Sequence, residues 1–129
     1  MKRFALAALL SAAATLPGHA QDDLRVYFGS GSAQVAPDQA DTLDQAARLF
    51  REGNPFVMIL AGTADTVGVA ERNLDLSLRR ARAVADGLVA RGIPVGRLQV
   101  LGRGNSELEV ETGDGVANEE NRVVVISWR

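Results

Sequence analysis

The residues best able to do chemistry lie close together. Asp65 stands in the glycine-bounded run Gly62-Thr63-Ala64-Asp65-Thr66-Val67-Gly68, directly after a continuous apolar segment, so strand and turn would together hold its carboxylate still. Asn73, Leu76, Ser77 and Arg80 follow at i, i+3, i+4 and i+7, a spacing that puts them on one face of a helix. One fixed anion, one fixed guanidinium and an amide between them suit a zwitterion. Asp65 would meet an ammonium, Arg80 would grip a carboxylate with two parallel hydrogen bonds, and Asn73 would orient the pair. The same residues also allow a plainer arrangement. In it Asp65 and Arg80 pair with each other and with loop amides, Asn73 caps a turn, and Arg79, Arg80 and Arg82 form a solvated basic cluster.

Most other chemistry is excluded by composition. The chain has 129 residues, 47% hydrophobic and 23% charged, with mean hydropathy near zero, which is the profile of one soluble globular domain. Residues 1–20 read as a secretory signal. Lys2 and Arg3 form a basic start, Phe4 to Leu16 an apolar run, and Pro17-Gly18-His19-Ala20 a cleavage region, so cleavage is expected after Ala20 and residues 21–129 form the domain. That leader holds the one lysine and the one histidine, and the chain has no cysteine. The domain therefore lacks the usual ligands for zinc, haem or iron–sulfur centres, and the expectation is no metal and no cofactor. Histidine- and lysine-dependent nucleophiles are excluded as well. Only a carboxylate-pair hydrolase survives as an enzyme class, and no matched acid pair supports it, so the chain is expected not to be an enzyme.

Charge narrows the partners. Basic residues number 14 against 16 acidic, and loss of Lys2 and Arg3 with the leader takes the net charge from −2 to about −4, which argues against a nucleic acid. No second apolar stretch approaches the roughly 20 residues of a spanning helix, strands are too few for a membrane barrel, and no cysteine is available for lipidation. An exported product without a membrane span is expected.

Several elements must position the candidate site. Leu24-Arg25-Val26-Tyr27-Phe28 reads as a first strand ending at Gly29-Ser30-Gly31-Ser32, a flexible exit that lacks the third glycine of a dinucleotide loop. A helix is expected from Pro37 to Arg51, with Ala40, Leu43, Ala47 and Phe50 on its apolar face. Gly53-Asn54-Pro55 ends it, and a strand follows over Phe56 to Ala61, closed by Gly62. A long amphipathic helix spans Val69 to about Arg91, its core stripe read as Leu74, Leu78, Ala81, Ala85 and Leu88, with Asn73, Ser77 and Arg80 on a different face. Gly92 and Pro94 stop it. Leu98 to Leu101 is a third strand, residues 103–120 a polar loop with one short element, and Val123 to Trp128 a fourth strand. The order implies an α/β two-layer sandwich, with a mixed four-stranded sheet and two main helices on one face. Ligands would sit beside the loops 29–34 and 62–68.

Gly62-x-x-Asp65-x-x-Gly68 followed by Asn73, Leu76-Ser77, Arg80-Ala81 and Val84 resembles the central motif of OmpA-like peptidoglycan-binding domains, the type found in OmpA, Pal and MotB. Tyr27 to Ala33, Gly92-Ile93-Pro94, Gly102-x-Gly104 and Asn121-Arg122-Val123 resemble the family's flanking motifs, so the resemblance covers residues 24–129. It implies non-covalent recognition of meso-diaminopimelate in the stem peptide of Gram-negative peptidoglycan. Asp65 would meet the ammonium and Arg80 the carboxylate of its free amino-acid end, with Asn73 and Arg122 nearby. It further implies a periplasmic protein that links the wall to the outer membrane or an envelope complex. An outer-membrane or envelope protein is a further candidate partner, and self-association stays open.

The pattern is departed from in places. Thr63-Ala64 replaces His/Tyr-Thr, Gly29 replaces a frequent Asp, Asn105 and Leu108 replace Glu and Pro, and Val123 replaces a second arginine. These changes thin the contacts around the two charged anchors. The alternative is an OmpA-like protein-interaction or scaffold module of the cell envelope that has lost wall binding.

Overall fold

The computed structural model describes residues 23–53 and 57–128. The leader expected over 1–20, and Asn54, Pro55 and Phe56, lie outside them. The elements in chain order are β1 (Leu24–Tyr27), α1 (Ala40–Gly53), β2 (Met58–Gly62), α2 (Ala70–Val89), β3 (Leu98–Gly102) and β4 (Val123–Trp128). The first helix is α-helical only from Ala40, because Pro37–Gln39 forms a separate 3-10 turn. The one short element in the polar loop is a second such turn, Glu119–Asn121.

The sheet order is β1-β4-β2-β3. β4 pairs antiparallel with both β1 and β2, and β2 pairs parallel with β3 across the α2 crossover. This is the expected two-layer α/β architecture. Alternation sends Val26, Met58, Leu60, Val124 and Ile126 to the helix-covered side, where they meet Leu43, Ala47 and Phe50 of α1 and Ala81, Val84 and Leu88 of α2. Each fully buried side chain of this size contributes roughly 1.5–3 kcal/mol. The opposite face carries Arg25, Ile59, Ala61, Gln99, Leu101, Val125 and Ser127, and forms an open groove of about 680 Å3 lined by strand and loop residues.

The expected core stripe of α2 needs correction in its first half. Leu74 is 51% exposed, whereas Asn73, Ser77 and Arg80 are buried in line with Ala81, Val84, Ala85 and Leu88. One stripe thus runs the whole helix, apolar over the sheet and polar beyond it. The polar half lies over loops whose backbone groups need hydrogen-bond partners, which leucine cannot supply. Gly62 permits this approach. A Cβ there would collide with the Ser77 carbonyl.

Candidate functional site

Asp65, Asn73 and Arg80 line one cleft of about 620 Å3, together with Ser30, Gly31, Val67, Gly68 and Leu76. It lies between the loops that leave β1 and β2, as expected from the strand order. Arg122 is not in this cleft. It stands behind Asp65 and lines a neighbouring cavity with Tyr27, Phe28, Glu119 and Glu120.

Asp65 is nearly buried, and the β2 exit turn fixes its backbone. Its Oδ1 accepts from the Val67 N–H at 3.4 Å, and its Oδ2 from the Asn118 N–H at 3.4 Å and from Arg122 Nη1 at 3.3 Å. All three contacts are long, so the carboxylate keeps acceptor capacity for a further donor. Arg122 Nε also donates to the Phe28 carbonyl at 3.0 Å, which joins the β1 exit to the anion. Asn73 Nδ2 donates to the Val67 carbonyl at 3.0 Å and so pins the turn that carries Asp65.

Arg80 is fully buried. Its Nε donates to the Ser32 carbonyl at 2.7 Å, Nη1 to Thr63 at 3.1 Å and Nη2 to Gly29 at 3.0 Å, and its guanidinium carbon lies 5.4 Å from the centre of the Phe28 ring. The side chain therefore clamps the β1 exit loop to the β2 exit. Among the described residues, one N–H on each terminal nitrogen is left without an acceptor. Burial pushes the guanidinium down to about 10, the Asp65 carboxylate opposes that fall, and Arg122 and Arg79 add to it. Arg80 stays charged at neutral pH. The partner of Asp65 is thus Arg122, not Arg80, and Arg80 does not belong to a solvated basic cluster.

Comparison with known proteins is decisive for the family. The model of the OmpA family matches residues 27–122. The chain belongs to the OmpA family. Among its relatives, the peptidoglycan-associated lipoprotein of Brucella melitensis is 31% identical over 123 residues, covering 91% of this chain and 73% of that protein. Outer membrane protein A of Yersinia pseudotuberculosis is 33% identical over 103 residues, covering 78% of this chain and 29% of that one. Among solved structures, the peptidoglycan-associated lipoprotein of Burkholderia pseudomallei superposes with a TM-score of 0.75 at 24% identity, covering 82% of this chain and 90% of that chain. The cell wall anchor of the type VI secretion system from Pseudomonas aeruginosa gives 0.67 at 28% identity, covering 81% and 78%. These OmpA-family relatives are named for association with wall or membrane rather than for a reaction.

Four residues of this OmpA-family site had no role assigned to them from the sequence. Thr63 Oγ1 donates to the Asn121 carbonyl at 2.8 Å. Thr66 Oγ1 donates to the Gly113 carbonyl at 2.8 Å and accepts from the Val116 N–H at 3.0 Å. Asn121 embraces Val110 with both ends of its amide, at 2.8 Å each. Ser77 Oγ accepts from the Gly104 N–H at 2.8 Å. Together they fasten the polar loop after β3 to the frame of the cleft. Arg25 pairs with Glu109 at 3.1 Å, and the Arg97 guanidinium lies 5.2 Å from the centre of the Phe50 ring. Among the described residues no cluster of acids could hold a metal ion, and no helix is long and apolar enough to cross a membrane.

Proposed function

We propose that this chain is a non-catalytic peptidoglycan-binding domain of the bacterial envelope, exported to the periplasm by residues 1–20. On this reading it recognises the meso-diaminopimelate of the stem peptide. The observation that carries it is the pairing, in one cleft, of an incompletely satisfied carboxylate with a buried guanidinium. Asp65 takes the ammonium of the free amino-acid end and the spare N–H groups of Arg80 take its carboxylate, while Asn73 and Arg122 hold the anion in place. Each site is weak alone, and retention comes from the density of stems in the mesh.

The test is co-sedimentation of the protein with diaminopimelate-type sacculi, beside an Asp65→Asn variant shown to be folded by circular dichroism. Pelleting by the wild type, loss of it in the variant and failure with lysine-type sacculi are expected. A second reading, an envelope protein-interaction module that has lost wall binding, is favoured by the three carbonyl bonds that already occupy Arg80. A folded wild type that stays in the supernatant would establish it.

A further inference from the structure

The cleft carries a charge that the reading above does not use. Six ionic side chains line it: Asp65, Glu71, Arg72, Asp75, Arg79 and Arg80. Asp65 is paired with Arg122, and Arg79 with Asp75 at 2.9 Å. Arg80 is held by three backbone carbonyls and already serves the diaminopimelate reading. Glu71 is accounted for by its place in the first turn of α2, where an acid is favoured by the macrodipole. Arg72 is not. A cation in that turn meets the positive end of the helix, and among the described residues its exposed guanidinium has no hydrogen-bond or ionic partner. The fold gains nothing visible from arginine at this position, yet the side chain lines the cleft.

We propose that Arg72 is a second carboxylate contact of the cleft and reads the residue before diaminopimelate in the stem. This rests on the diaminopimelate reading. Arg72 and Arg80 are eight residues apart on one helix, so their Cα atoms are separated by about 12 Å along its axis, with Leu76 between them on the same face. In a stem peptide the diaminopimelate is amide-linked to the side-chain carboxyl of a D-glutamate, whose α-carboxylate stays free. About eleven bonds separate that carboxylate from the one at the free end of diaminopimelate, an extended span of roughly 13 Å. A stem lying along α2 therefore presents its two carboxylates at about the axial spacing of the two arginine positions. Arg72 makes a charge-assisted contact with the outer one that an amide cannot reproduce. The cleft then discriminates stems with free glutamate from stems in which that carboxyl is amidated.

The experiment is titration of the full chain with two synthetic tripeptide stems, identical except that the glutamate α-carboxyl is free in one and amidated in the other. It is repeated with Arg72→Gln, a surface change, and Arg72→Lys. The wild type is expected to prefer the free acid by about tenfold, Arg72→Gln to bind both at the amidated stem's affinity, and Arg72→Lys to keep part of the preference. Equal binding of both stems by the wild type, or a preference that survives in Arg72→Gln, would overturn the assignment of Arg72 and leave the diaminopimelate reading standing. Binding of neither stem would overturn both.

Discussion

Asp65 and Arg122 lie 57 positions apart in the chain and meet through Oδ2 and Nη1 at 3.3 Å. The contact joins the exit of β2 to the entrance of β4, and the same guanidinium reaches the end of β1 through the Phe28 carbonyl. A residue carried at the edge of a binding motif is thus the support of the anion at its centre. Replacing Arg122 with Met removes a partly buried pair and leaves Asp65 with two long backbone contacts. A loss of about 1–3 kcal/mol is expected, to be read from the urea midpoint at constant m-value.

Arg80 is a strut between the β1 and β2 exits. Arg80→Ala would strand the buried Thr63 carbonyl, take the donor from the partly buried bonds to Ser32 and Gly29, and empty a large volume. The expected cost is on the order of 3 kcal/mol or more, larger than for Arg122→Met, and thermal unfolding checks it. Loss of wall binding in that variant would therefore say little by itself. Asp65→Asn separates binding from folding more cleanly.

Gly62→Ala tests how closely α2 sits on the sheet. The added methyl would meet the Ser77 carbonyl and then Ala81, so the helix must move off β2. Destabilisation of roughly 1–3 kcal/mol is expected. A neutral result would mean that the helix has slack at this crossing.

Thr66→Val keeps the shape of the side chain and deletes the hydroxyl that serves Gly113 and Val116. A cost of about 1–3 kcal/mol is expected. Faster hydrogen exchange should appear at the amides of Gly115 and Val116 while the strands keep their protection.

The parts of the fold legible in the sequence are those with local signals. Val123 to Trp128 could be read as a strand because it is a run of β-branched and aromatic residues, and α2 because its periodicity continues for twenty residues. Leu74 misled because periodicity counts apolar residues. At this end of the helix the neighbours are loop backbone and Gly104, so Asn73 and Ser77 turn inward instead. The glycine at 62, opposite a predicted helix, was the available hint of that close crossing. The Thr66 and Asn121 ties had none, since nothing in the spacing of Thr66 and Val116, fifty residues apart, shows that they meet. In the same way, the motif brought Asp65 and Arg80 to one cleft but did not reveal that each is held by a third group.

The position of β4 bears on timing. The strand that ends at residue 128 lies between β1 and β2 and is the only described link between them in the sheet. Until it arrives, β1 has no neighbour and the buried faces of Val26 and Leu60 have no shared surface to close. A chain delivered with its amino end first, from a ribosome or through a membrane pore, can form local helix but not this core. It therefore stays threadable until residues 123–128 have emerged, and only then can the sheet close over its core.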